Sequence, residues 1–188
     1  MRKLVSSIIV SLDGMVSGLK GELDMFKVDD EFFDISNQLT EEADTALYGK
    51  GTYNIMQSYW PTAGDSPNAS KHDKEHAAWY NKVPKFVLST TMKSNDAPNA
   101  TIINHNVVDE IDKLKKQKGK AIQIFGSPRV VRSLTQQNLI DEYRIFIFPV
   151  IIGHGMPVFK DMNQLLNLKL ISCKAMKSGA IAAHYGRI

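Results

Sequence analysis

The chain has 188 residues, 43% of them hydrophobic, a formal net charge of +3 and a pI near 8.9. That length suits one domain, residues 1–188, with a sizeable core, and so mild a charge is no nucleic-acid footprint. A single cysteine, Cys173, excludes an internal disulfide and a cysteine-based metal site; with no signal peptide and no apolar run near the ~20 residues of a membrane helix, a cytoplasmic protein without membrane partners is expected.

Leu4–Val10 reads as a strand running into the turn Ser11-Leu-Asp-Gly14. Asp30–Glu42 carries Phe32, Ile35 and Leu39 at helical spacing, with acids at its start that suit the helix dipole. A short strand at Thr45–Tyr48 enters a helix over Gly51–Tyr59 through Gly49-Lys-Gly-Thr52. Pro61–Ser70 is a polar surface loop, and His72–Lys82 a surface helix. Lys85–Ser89 and Thr101–Asn104 are strands. Asn106 can cap a helix running to about Lys118 and stopping at Gly119. The lysines between Lys113 and Lys120 form its solvated face. Ala121–Phe125 is a strand, Pro128–Gln137 a helix and Glu142–Phe148 a strand. Cys173 falls in a strand-like run as a buried, inert thiol. Leu168–Met176 and Ala180–Tyr185 form a hairpin through Lys177-Ser-Gly179.

This alternation indicates a three-layer α/β fold with a mostly parallel sheet and a closing antiparallel hairpin. Ligands of such sheets bind beyond the carboxyl ends of the strands. Five segments fall just after strands and would converge there: Ser11–Asp13, Gly49–Thr52, the turn at Ser89, Gly126–Arg129 and Gly153–Gly155. Before Arg129 and Val130 stand Gly126, Ser127 and Pro128, opening a helix whose first N–H groups suit a phosphate; Pro128 fits the first helical position and Arg129 can add a bidentate contact. Gly49-Lys50-Gly51-Thr52 follows the same anion-binding logic. The constrained apolar loop around Gly153 and Gly155, flanked by Pro149 and Pro157, reads either as the wall of a small-molecule site or as a tight connection packed on the core. Asp13-Gly14 is also a common turn pair. His72 and His76 have metal-compatible spacing, but no third ligand accompanies them and no metal site is expected.

In this order the five segments resemble the dihydrofolate-reductase-like superfamily, and most nearly the reductase domain of bacterial riboflavin biosynthesis (the RibD C-terminal domain), from about Arg2 to Ile188. The resemblance implies an NADPH-dependent oxidoreductase passing hydride to a ribosylamino-pyrimidine, as a 5-amino-6-(5-phosphoribosylamino)uracil reductase does. Alternatives are pterin or dihydrofolate reduction and non-catalytic nucleotide binding. It implies cofactor contacts at Gly49, Lys50, Gly51, Thr52, Ser89, Thr90, Gly126, Ser127, Arg129 and Val130. Ser11, Asp13, Gly153 and Gly155 fall on the substrate side, with Asp13 the catalytic candidate. Ser127 and Pro128 stand where the family is richer in glycine. Folate reductases carry an acid on the first helix, but none of Asp29, Asp30, Glu31 and Asp34 can be singled out. No zinc-deaminase pattern occurs, so the deaminase activity of the bifunctional riboflavin enzyme is not expected. The family generally pairs as homodimers, and the apolar run Tyr143–Ile152 is the candidate contact.

Overall fold

The computed structural model describes residues 1–97 and 99–188. The chain runs β1 (Leu4–Ser11), β2 (Met15–Gly18), α1 (Asp30–Glu41), β3 (Ala43–Gly49), α2 (Lys50–Ala63), α3 (Lys71–Lys82), β4 (Lys85–Leu88) and β5 (Thr101–Ile103). It continues through α4 (Val107–Lys116), β6 (Ala121–Phe125), α5 (Pro128–Gln136), β7 (Glu142–Phe148), β8 (Gly155–Pro157), β9 (Leu168–Ala175) and β10 (Ile181–Arg187).

Eight strands form one sheet in the order β5-β4-β3-β6-β1-β7-β10-β9. The first six are parallel; β10 joins β7 antiparallel, and β9 joins β10 antiparallel. The central strand β1 is apolar on both faces because both are covered. On one face Leu4, Ile8 and Val10 pack with Ile111 and Leu114 of α4 and Val131 and Leu134 of α5. On the other, α2 and α3 set Tyr53 and Tyr80 over Ala46, Tyr48 and Val87, while α1 sets Leu39 and Phe32 over Phe146 and Phe148. The result is the expected three-layer αβα fold.

Local chemistry sets the ends of the helices. Asp29 caps α1 by accepting from the Phe32 N–H (2.9 Å), and Ser70 and Asp73 form a capping box on α3. Pro61 sits within the last turns of α2, where its missing N–H removes only one helical bond, so the helix runs on to Ala63 rather than yielding to a loop.

Several expectations are corrected. The loops after β1 and β7 pair as a two-stranded ribbon, β2 with β8, that was not expected. Tyr143–Phe148 is an interior strand between β1 and β10 whose buried apolar side chains pack into the two cores, so of the run Tyr143–Ile152 it is Ile151, beyond the strand, that is well exposed. Cys173 is exposed, because β9 is the outermost strand. His76 is buried, packed against Trp60 at 3.9 Å between ring centroids, since α3 turns this side inward. Lys115 is buried too: its ammonium bonds the Asp141 carboxylate (2.7 Å) and the Leu139 carbonyl (3.2 Å), which keeps the charge paired. The other lysines of the 113–120 run are exposed. Among the described residues, no helix is long and apolar enough to cross a membrane.

Candidate functional site

Parallel pairing puts the carboxyl ends of β5, β4, β3, β6, β1 and β7 along one edge, and the five segments singled out from the sequence all begin there. Gly49 and the Gly126 turn lie in direct contact. A Cβ on Gly49 would collide with Ser127 Oγ and stand 2.9 Å from Val130 Cγ2, so only glycine lets α2 and α5 start side by side. Gly126 takes φ +54° and lies against the Thr52 side chain.

Ser127 also takes a left-handed φ, +53°, which a serine adopts at a cost of about 1–2 kcal/mol. That is the physical reason a glycine suits the position. Neither Gly49 nor Ser127 makes a side-chain cap, and Asn106, before α4, makes none either. At α2 the first N–H groups, those of Gly51 and Thr52, thus stay open; at α5, where Pro128 has no N–H and the Val130 and Val131 N–H groups bond the Ser127 carbonyl (2.9 and 3.0 Å), the Arg129 N–H is left, whereas α1 and α3 are capped. Open N–H groups at adjoining helix N-termini are a binding place for an anion.

Cations flank these turns. Lys50 is exposed, its Nζ 3.4 Å from Thr91 Oγ1, which ties α2 to the turn after β4. In that turn Ser89 Oγ accepts from the Thr91 and Met92 N–H groups (3.3 and 3.1 Å), leaving Thr90 exposed. Arg129 is exposed and, among the described residues, forms no ion pair or hydrogen bond, so its guanidinium is available to a ligand. Gly51, Thr52, Ser127, Arg129 and Lys50 form a donor set that could hold phosphate groups.

On the far side of β1 the geometry is of another kind. Ser11 is buried at the strand end, and its hydroxyl donates to Asp13 Oδ1 (2.6 Å) while accepting from the Met15 N–H (2.9 Å). The Asp13 carboxylate further accepts from the Ile152 N–H (3.1 Å) and the Gly153 N–H (2.7 Å). The Ser11 hydroxyl, then the Gly153 and Ile152 amides, hold its pKa down to about 2. Gly155 faces Gly18 in the ribbon, where any side chain would strike the Ser17 carbonyl. Its glycine is therefore required by packing.

Sequence reasoning missed Arg132. It donates to the Pro157 carbonyl (3.0 Å) and the Val158 carbonyl (3.3 Å), joining α5 to the ribbon. Its only sequence signal is a position one helical turn after Arg129. Two of the four acids of the first helix have structural tasks: Asp29 is the cap, and Glu31 pairs with Lys174 (2.5 Å) and accepts from the Lys177 N–H. Asp30 and Asp34 are exposed. No group of three or more metal-ligating side chains occurs among the described residues.

A doubly wound αβα domain with anion-binding turns gathered at the carboxyl edge is the architecture of dihydrofolate-reductase-like proteins. The family model of the RibD C-terminal domain matches residues 2–182, and the chain belongs to that family of reductases. It is 33% identical over 188 residues to the uncharacterized protein YyaP of Bacillus subtilis (strain 168), covering 98% of this chain and 94% of that one. Its fold is similar to that of a putative riboflavin biosynthesis protein from Shewanella sp. PV-4, with a TM-score of 0.73 at 23% identity over 99% of both chains. It is also similar in fold to a Thermotoga maritima diaminohydroxyphosphoribosylaminopyrimidine deaminase/5-amino-6-(5-phosphoribosylamino)uracil reductase. There the TM-score is 0.68 at 14% identity, covering all of this chain and 57% of that one.

Proposed function

We propose that this chain is an NADPH-dependent reductase of the riboflavin-biosynthesis type, transferring hydride to a ribosylamino-pyrimidine or a related heterocycle. The observation that carries the reading is the meeting of two uncapped helix N-termini, those of α2 and α5, beside Lys50 and Arg129. The open N–H groups of Gly51, Thr52 and the Ser127 turn hold the diphosphate, with Val130 packed behind them. Lys50, Ser89, Thr90 and Arg129 neutralise or bond the additional phosphate that separates NADPH from NADH. Bound NADPH supplies the hydride, and the chain supplies position and exclusion of water. The heterocycle lies toward Ser11, Asp13 and the Gly153 loop.

No acid of α1 is bound into this edge, so nothing favours the pterin reading over the pyrimidine one. Steady-state NADPH oxidation against a panel of ribosylamino-pyrimidines and pterins tests the proposal. Turnover of a pyrimidine supports it, and turnover of pterins alone replaces the substrate class. NADPH binding with no turnover across the panel would make the chain a nucleotide-binding protein instead.

The reading includes a cytoplasmic homodimer. Its contact surface is proposed on the outer strand β9, which has an open main-chain edge and leaves Leu170 56% and Ile171 48% exposed. Light scattering showing a monomer at tens of micromolar, where an interface of standard size should hold, would remove this element.

A further inference from the structure

Between Ser11 and Gly155 the backbone takes a form that a simple connection does not need. After β7, the His154 N–H bonds the Ile152 carbonyl (2.9 Å) across Gly153, whose φ is +74°. This three-residue closure is a γ-turn of the hand that L side chains disfavour and that glycine takes without strain. A glycine has many other conformations open to it, so one turn persists only where its surroundings fix it. Here the determinant is one side chain from another part of the sequence. The N–H groups of Ile152 and Gly153, the two that lead into the turn, both point at the Asp13 carboxylate. The Ser11 hydroxyl fixes the carboxylate in turn, and the Leu12 N–H bonds the Val150 carbonyl (2.8 Å), so the two loops close on each other at several points.

We propose that Asp13 is a positioning residue: its carboxylate latches the Gly153 γ-turn onto the end of β1 and so fixes the substrate-side wall of the site. Three of the four acceptor positions of the carboxylate are taken within the protein, two on Oδ1 and one on Oδ2. It is therefore bound as a structural anion, with a single free acceptor position left for a ligand. The latch itself does not depend on which cofactor binds. That the latched turn bounds the substrate does rest on the reductase reading.

The test is amide NMR of the free protein. In the wild type, the Ile152 and Gly153 amides should be protected from exchange, and their shifts should titrate with a midpoint near pH 2, in step with the Asp13 carboxyl. In Asp13→Asn, a side-chain amide can accept from only one of the two N–H groups. Protection of Ile152 and Gly153 should fall at least tenfold while core amides of β1 and β7 keep theirs. Unprotected amides in the wild type, or a midpoint near 4 as for a free carboxyl, would overturn the latch. Exchange protection of the wild-type Ile152 and Gly153 amides at pH 7 decides the matter even if the variant fails to fold. NADPH titration of the same wild-type sample reports separately on the reductase reading: loss of that binding with protected amides sinks the cofactor assignment and leaves the latch standing.

Discussion

His76 should make the protein lose stability in mild acid. Its ring is 4% exposed, neither nitrogen has a hydrogen-bond partner among the described residues, and Trp60, Trp79 and Phe125 surround it. Burial, then the neighbouring His72, push its pKa from 6.5 down to about 3. In the unfolded chain the ring takes its proton near pH 6.5; in the fold it stays neutral. Its neutral form thus contributes stability fully above pH 6.5, and this is lost as pH falls through the window from 6.5 toward 3. At pH 5 the ring is about 1.5 pH units into that window, and each unit corresponds to about 1.4 kcal/mol, so up to about 2 kcal/mol is lost. His76→Leu keeps an apolar group of similar size in the pocket and removes the proton acceptor. Urea unfolding at pH 7 and pH 5 should show the wild type losing about 2 kcal/mol more than the variant. Equal losses in the two proteins would refute the burial argument. The comparison stops at pH 5 because the carboxylates, among them Asp13 and Asp73, begin to contribute below it.

Two further perturbations address the turns. Gly49→Ala should cost about 1–3 kcal/mol by overpacking against Ser127 and Val130, and Ser127→Gly should recover part of that in the double variant; strictly additive effects in a thermal-unfolding cycle would refute the contact. Arg129→Ala should weaken NADPH binding by about 1.5–3 kcal/mol, and calorimetry showing no change would remove Arg129 from the site.

The fold was legible because its signals are local and repeated. Val and Ile runs bounded by turns gave the parallel strands, and every major helix was placed. The ribbon of β2 and β8 was not legible: each strand is three or four residues, and the two backbones meet closely only because Gly155 has no side chain to strike the Ser17 carbonyl. The site was legible as positions, since each segment follows a strand, but not as contacts. Nothing in Asp13-Gly14 announces that its carboxylate will reach the amides of a loop some 140 positions later. Burial within helices was likewise hidden. Lys115 and His76 sit in polar stretches and are drawn inward by partners and packing that come from other elements.

The proposed function requires the edge bearing Gly49 and Gly126 to bind a phosphate-rich dinucleotide with a preference for the extra phosphate of NADPH. Calorimetric titration of the protein with NADPH and with NADH tests it most directly. NADPH should bind more tightly than NADH, with the preference reduced in Lys50→Ala. Equal affinity for the two nucleotides, or binding of neither, would contradict it.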